Sequence, residues 1–472
     1  MKLARWTAVL SALAVLVAGA AGLSAQATTG SITGTVRTSE GSAAGTQITV
    51  RNAATGFNRS VVAGEDGRYL VPGLETGTYQ VSTIRLGSAP ETRTAAVSLG
   101  QATRVDFNLT TQAVEISGIT VTAASASGII SPTRTGVLTT ISDSALQRLP
   151  SLNRNFTDFV SLTPQVSTTL PNGGLSGGGV NNRYNQVQID GTTETDLFGL
   201  GSTGQPGGQA NGKSIGIEAV KEYQVLLAPF DVRHGNFAGL LINAVTKGGT
   251  NQFHGSVYGY GRNQNFTRSQ DYLGDYSQYQ YGLTLGGPIV KDKVLFFANV
   301  ERQSYNTPAD GIYLGAAGYT VSATDVQAAS AAIEAYGIPS GSAGAVTLHN
   351  PLTNVFARLD FPDLPYNSSL VLRYNYGRAV DGALGRGSSG TFPSLNLTSN
   401  EYQYGSTKNA PALELRTNFA SGAFNEFRAS YTRTREPRTA TSGYNGPQVT
   451  VDVPGAAIVA GTERYSQGNH IN

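Results

Sequence analysis

The sequence has no cysteine, a single tryptophan (Trp6) and a single methionine (Met1), and only 14% of its 472 residues are charged. Without cysteine there is no disulfide framework and no zinc or iron–sulfur site built on thiolates. Charge of either sign is scarce and nearly balanced, 33 Lys+Arg against 31 Asp+Glu, so there is no electrostatic case for nucleic-acid binding. A net charge of +2 with 39% hydrophobic residues also argues against simple disorder. Beyond the first 27 residues no segment is long and apolar enough for a transmembrane helix, so a membrane role would have to use β-strands. What is abundant is glycine (58), tyrosine (22) and phenylalanine (17). The length allows two to four domains at about 150 residues each, and the composition predicts a mostly β chain.

Lys2 and Arg5 precede an uncharged run, Trp6 to Leu23, followed by Ala25-Gln26-Ala27. This charged, apolar, small-residue order predicts a cleaved secretory signal over residues 1–27, cut after Ala27, with Ala25 as the alternative. A membrane-spanning helix is the competing reading, and the Ala and Gly crowding the second half of the run argues against it.

Residues 30–110 read as one small β-sandwich. Strand-like segments at Ser31–Arg37, Thr46–Asn52, Arg59–Ala63 with Tyr69–Val71, and Thr78–Arg85 are closed by Arg104–Leu109. Gly67 and Gly73 suit turns. The predicted core is Ile32, Val36, Ile48, Val50, Tyr69, Leu74, Tyr79 and Val81. The series Gly34-Thr35-Val36, Thr55-Gly56, Asp66-Gly67-Arg68-Tyr69, Pro72-Gly73-Leu74 and Gly77-Thr78-Tyr79 resembles the carboxypeptidase regulatory-like domain. That resemblance implies an immunoglobulin-like module. Some related modules bind glycans, but no aromatic platform is evident here, so a spacer or structural role is favoured.

Residues 111–128 are Thr/Ala/Ser/Gly-rich, as in a linker. Within them Ile119-Thr120-Val121-Thr122 is β-branched and reads by itself as an ordinary short strand, one that could also add to the edge of a partner sheet. Residues 129–250 combine short helical patterns, Ser142–Leu149 and Phe156–Leu162, each stopped by proline (Pro150, Pro164), with strands at Asn185–Asp190, Val220–Leu227 and Ile242–Thr246. Loops dense in Gly, Asn and Ser lie between them.

These segments resemble the plug region of Oar-like TonB-dependent receptors. The matching blocks are Leu149-Pro150-Ser151-Leu152-Asn153-Arg154-Asn155-Phe156, Leu162-Thr163-Pro164, Asp190-Gly191, and Val220-Lys221-Glu222-Tyr223-Gln224-Val225. They continue through Asn243-Ala244-Val245-Thr246-Lys247-Gly248-Gly249-Thr250-Asn251-Gln252-Phe253-His254-Gly255 to Leu285-Gly286-Gly287-Pro288-Ile289. The resemblance implies a plug motif at Leu149, Pro150, Asn153, Arg154, Asn155, Phe156, Asp190 and Gly191. It implies a plug–barrel junction at Thr246, Lys247, Gly249, Thr250, Asn251, His254 and Gly255. It also makes Ile119, Thr120, Val121, Thr122 and Ala123 resemble the TonB box, in preference to an ordinary strand. The plug's Gly/Asn/Ser content predicts few large apolar side chains and easy rearrangement.

Beyond residue 250 apolar and polar residues alternate with period 2. Tyr279, Tyr281, Leu283 and Leu285 alternate with Gln280, Gly282 and Thr284; Val355, Ala357, Leu359 and Phe361 with Asn354, Arg358 and Asp360; Leu413 and Leu415 with Glu414 and Arg416. Two features favour an outer-membrane barrel over a soluble sheet: predicted strand lengths of about 8–10 residues, and the placement of 18 of the 22 tyrosines after residue 250. Short turns (Lys291-Asp292-Lys293, Pro362 to Ser368, Ser421-Gly422-Ala423) alternate with long segments (303–352, 378–410). Within the first of these, Thr324–Tyr336 reads as a helix capped by Thr324.

Gly207-Gly208-Gln209-Ala210-Asn211-Gly212-Lys213-Ser214 fits a phosphate-loop pattern, but it lacks the strand before it and the helix after it that the chemistry needs. No two of the four histidines have metal-ligand spacing. Asp190, Glu194 and Asp196 contain the oxygen ligands of a partial calcium site, though solvated carboxylates are the commoner case. No nucleophile elbow is present. The chain is therefore expected to be no enzyme and to need no cofactor or metal.

The fold expectation is all-β dominated: a small β-sandwich, an α+β plug, then an incomplete transmembrane β-barrel over residues 251–472. The function implied is a TonB-dependent receptor or transporter of the outer membrane for a large oligosaccharide or peptide ligand. Its expected partners are TonB, outer-membrane lipid and an extracellular ligand of unknown identity, with no nucleic acid. The alternative is a secreted or surface all-β adhesin or glycan-binding protein. Plugged transporter barrels have about 22 strands, whereas residues 251–472 offer roughly eight, so the sequence is expected to be the N-terminal part of a longer protein or a truncated reading frame.

Overall fold

The computed structural model describes residues 28–39, 41–110, 121–122, 137–149, 151, 154–168, 174–196, 198, 201–227, 235, 237–266, 276–316, 321–387, 393–419, 423–463 and 467–471. The expected signal segment and most of the linker lie outside them. No helix among the described residues is long and apolar enough to cross a membrane.

The first unit contains strands β1 (Gly30–Thr38), β2 (Gln47–Arg51), β3 (Asn58–Val62), β4 (Arg68–Leu74), β5 (Gly77–Ile84), β6 (Thr92–Val97), β7 (Ala102–Arg104) and β8 (Phe107–Leu109). One sheet is built around β1, which pairs with β4, β7 and β8; the other has the order β6-β5-β2-β3. All eight residues expected in its core are buried, joined by Val71, Val97 and Phe107. Two expectations are corrected. Thr92–Val97 is a strand, and the closing segment is split into β7 and β8 by Val105 and Asp106. Val105 is buried and its carbonyl accepts the Tyr69 hydroxyl at 2.6 Å.

The second unit is a mixed sheet in the order β9-β12-β13-β10-β11, flanked by two short helices. It comprises β9 (Val137–Ser142), α1 (Asp143–Arg148), α2 (Phe156–Val160), β10 (Gln186–Ile189), β11 (Thr192–Thr193), β12 (Val220–Leu227) and β13 (Leu240–Thr246). β13 is buried along its whole length, as suits a central strand. The expectation of few large apolar side chains is wrong. Phe156, Phe159, Leu175, Ile189, Tyr223 and Leu240 form a real core, and Phe297 and Phe356 of the third unit belong to it.

The third unit is a wall of antiparallel strands: β14 (His254–Asn263), β15 (Ser277–Val290), β16 (Val294–Pro308), β17 (Thr347–Leu364), β18 (Ser368–Ala383), β20 (Tyr402–Asn418), β21 (Phe424–Ser430), β22 (Arg433–Ala440) and β25 (Gln467–Ile471). β21 pairs with one half of β20 and β22 with the other, so the two occupy a single place in the meander. The sheet does not close among the described residues. Strands reach 18 residues, about 60 Å at 3.3 Å per residue. The expected 8–10 residues therefore marked only the alternating part; Pro308 and Thr347, for example, still pair beyond it.

The alternation is inside out relative to a soluble sheet. Tyr279, Tyr281, Leu283, Leu285 and Phe427 are exposed, whereas Gln278, Gln280, Asn299, Glu301, Arg358, Asp360, Glu414 and Arg416 are buried. Apolar residues facing out and polar residues facing in is the pattern of a wall with lipid outside and a filled lumen inside.

At one end of the wall the turns are short, for example 291–293 and 365–367. At the other end the connections fold together. Helix α3 (Ala323–Ala335) packs with β19 (Ser394–Asn396), β23 (Gln448–Val453) and β24 (Ala456–Gly461) around Val326, Ile333, Leu395 and Ile458. The cap of α3 is Ser322, not Thr324: its Oγ accepts from the Thr324 N–H at 3.1 Å. The long segments are shorter than expected because strand pairing runs to Pro308, Ala383 and Tyr402.

Candidate functional site

The second unit fills the lumen, and each contact it makes with the wall starts from an inward position of the alternating strands. Lys408 of β20 donates to Glu194 Oε2 at 2.6 Å and to the Ser214 carbonyl at 2.7 Å. Both charged side chains are almost wholly buried, at 4% and 1% exposure. Arg373 of β18 reaches the Ile189 carbonyl at 2.7 Å and lies 3.5 Å from Asp190. Lys213 sits 3.9 Å from Glu301 of β16; burial pushes its ammonium down from the usual lysine value while Glu301 opposes the shift. The phosphate-loop-like segment is thus a 3₁₀ turn, Gly208–Ala210, pressed against the wall, and the Gly207 N–H donates to Glu436.

The three carboxylates considered for calcium each have a structural role instead. Asp190 accepts from the Thr246 N–H and hydroxyl, both at 2.8 Å. Glu194 is taken by Lys408, and Asp196 accepts from the backbone N–H groups of Phe198 and Gly201 at 3.0 and 2.8 Å. Asp190 (φ 46°) and Gly191 (φ 70°) form a left-handed turn, and that turn aims the carboxylate at Thr246.

Of the expected motif at 149–156, Pro150 and Asn153 lie outside the described residues. Leu149 closes α1 and is 38% exposed, while Asn155 precedes α2 and Phe156 is buried against Tyr223 with ring centres 6.3 Å apart. Arg154 pairs with Glu218 at 2.5 Å and lies 4.2 Å from the Tyr260 ring centre on β14. The motif therefore brings the helix pair and the first wall strand together.

The residues expected at the junction make close approaches to the rest of the chain. Lys247 pairs with Asp143 at 3.0 Å. The Gly249 N–H donates to Asp360 at 3.1 Å, and a Cβ there would come within 2.5 Å of the Phe296 nitrogen. The Thr250 hydroxyl donates to the Gln252 carbonyl at 2.8 Å and lies 3.1 Å from His254 Nδ1. Asn251 and Asp292 exchange two bonds, at 2.7 and 2.8 Å. Gly255 packs where a Cβ would strike the Thr284 carbonyl at 2.6 Å.

Of Ile119–Ala123, only Val121 and Thr122 are described. They pair in parallel with Arg93 and Thr94 of β6, so these two residues add to the edge of the chain's own sandwich.

No pattern in the sequence pointed to how the sandwich meets the other two units at the short-turn end. Glu75 accepts from Arg358 of β17 at 3.0 Å and Arg416 of β20 at 2.8 Å. Burial alone would push the Glu75 carboxyl up, but the two guanidinium groups overcome it and hold it at about 2. Lys221 of β12 donates to the Thr76 carbonyl, and Gln224 to the Leu99 carbonyl at 2.7 Å. Burial pushes Lys221 down and Glu222 up. The inward charges at 358 and 416 were visible in the alternation; their partner was not.

Residues 31–110 match the carboxypeptidase regulatory-like domain family, and residues 245–354 match the outer membrane beta barrel domain family. The TonB-dependent transporter Oar of Myxococcus xanthus is 27% identical over 260 residues, 51% of this chain and 23% of Oar, so the chain spans under a quarter of that relative's length. Among solved structures, the outer membrane transporter YddB of Escherichia coli aligns with TM-score 0.48 and 14% identity over 69% of this chain and 43% of YddB. The siderophore receptor PirA of Acinetobacter baumannii aligns with TM-score 0.45 and 15% identity over 71% and 43%. The chain is a homologue of the TonB-dependent transporter Oar, carries a carboxypeptidase regulatory-like and an outer membrane beta barrel domain, and belongs to the outer membrane.

Proposed function

We propose that the protein takes up a large ligand, of the oligosaccharide or peptide class, across the outer membrane, with residues 129–250 as the plug and TonB as the source of energy. The observation that carries this reading is the inside-out wall whose buried inward charges, Lys408 and Arg373 above all, are matched by carboxylates of the unit inside it. A soluble adhesin would leave the Tyr279, Tyr281, Leu283 and Leu285 face in water, which soluble proteins avoid. In this reading the work done on the ligand is binding and passage. The segment Ile119–Ala123 is assigned as the TonB box; the cleaved signal at 1–27 and a structural rather than glycan-binding sandwich are part of the same proposal.

The test is deletion of residues 115–123, with uptake of labelled oligosaccharides and peptides measured in intact cells. Uptake should vanish while the protein stays in detergent-extracted outer membranes. Unchanged uptake would show that the box lies elsewhere, and a freely soluble product would support the adhesin.

A further inference from the structure

We infer that the sandwich is a second, periplasmic gate in series with the plug, latched by Glu75, and that it undocks before the plug moves. The inference rests on the transport reading above and on the unequal character of two seams. The sandwich–body seam is polar and loose. Glu75 bridges Arg358 and Arg416, and the Thr28 hydroxyl lies within hydrogen-bond reach of Glu414 and Glu426, at 2.7 and 2.6 Å. Backbone carbonyls of Ala54, Thr76 and Leu99 accept from Asn251, Lys221 and Gln224. Between these contacts is a cavity of about 490 Å³ bordered by Phe57, Tyr79, Lys221, Leu295, Phe361 and Arg416. The sandwich core and the plug core share no residue.

The plug–wall seam is different. Its ion pair between Lys408 and Glu194 is almost wholly buried, and the wall residues Phe297 and Phe356 are part of the plug core. Polar, incompletely packed interfaces between units are the ones that permit relative motion, whereas separating a shared apolar core exposes it to water. The chain between the last sandwich strand, ending at Leu109, and the strand that starts at Val137 touches the sandwich where Val121 and Thr122 pair with β6, so a pull on it loads both seams and the polar one yields first. Docked, the sandwich covers the short-turn end of the lumen, beside Asn251, Asp292 and Phe424. A ligand that passes the plug therefore cannot leave until the sandwich has swung away.

These 472 residues contain no cysteine, so single cysteines can be placed in them, with any cysteine elsewhere in the protein replaced by serine. Thr76→Cys reports the sandwich seam and Ser214→Cys the plug seam, two positions only 5% and 4% exposed at rest. Labelling by a charged, membrane-impermeant maleimide is followed in intact cells with and without an uncoupler. We expect labelling at position 76 to rise about tenfold or more on energisation, the scale of one charge-assisted hydrogen bond, and ahead of position 214. Glu75→Gln should produce the same rise with the uncoupler present. Lys221→Met, which cuts the plug-side contact, should do so too and covers the case in which Glu75→Gln fails to reach the membrane. Protection of position 76 under every condition, or labelling of position 214 first, overturns the gate. Disulfide trapping of single cysteines at 115–123 by a cysteine-bearing TonB tests the underlying reading separately. If no position traps, the transport reading fails and the uncoupled Glu75→Gln and Lys221→Met results alone decide the latch.

Discussion

Lys408 and Glu194 lie 214 residues apart and meet at 2.6 Å between the wall and the unit inside it, with nearly all of both side chains out of water. Removing one partner leaves the other as an uncompensated buried charge, which costs about 3–5 kcal/mol. Lys408→Met should therefore lower the melting temperature of the detergent-solubilised protein sharply. Lys408→Met with Glu194→Met should recover most of the loss. If the single and double variants melt together, the pair is not what holds the seam.

Gly249 has ordinary backbone angles, so its requirement is space. A Cβ there would lie 2.5 Å from the Phe296 nitrogen and 2.7 Å from the Phe296 oxygen, both rigid parts of β16. Gly249→Val should cost about 1–3 kcal/mol by overpacking and reduce the yield of folded protein in the outer membrane. Gly259→Val is the control, since nothing lies within 4 Å of the site of its Cβ. Equal yields from the two variants would contradict the close approach.

Glu75 gives the sandwich seam a pH dependence of defined sign. Burial acts to raise its pKa, and Arg358, Arg416 and Lys221 outweigh burial, holding the carboxyl at about 2 when docked against its ordinary 4.5. The docked form thus binds a proton more weakly than the undocked form. Docking is at full strength above pH 4.5, weakens as pH falls, and loses this contribution near pH 2. Phe57→Trp, at the edge of the cavity, should shift its emission to the red across that window, and the added change Glu75→Gln should abolish the titration. An identical titration in both proteins would assign it to another group.

Much of the fold was legible because it rests on short-range pattern. The alternation in the sandwich marked a core that includes Ile32, Val50, Leu74 and Tyr79. Val220–Leu227 is a strand with the expected bounds. Thr92–Val97 was missed because Thr-Arg-Thr-Ala-Ala-Val carries little apolar contrast, and its assignment depends on pairing with β5. Wall strands were read short because alternation tracks only the lipid-facing stretch, whereas hydrogen bonding continues through segments such as Gln303–Asn306, where apolar contrast is weak.

The sequence by itself favoured a membrane wall for the third unit and separated its two faces. A period of two sorts strand residues onto opposite faces without knowledge of neighbours. It likewise determined the sandwich, whose turns and core lie within 80 residues of one another. Only the tertiary structure decided where the inward charges find their partners. Glu75 meets Arg358 and Arg416 across 283 and 341 residues. Periodicity records whether a side chain points in or out, but not what stands opposite it. A buried arginine requires a counter-charge, and long-range packing alone selects which carboxylate supplies it.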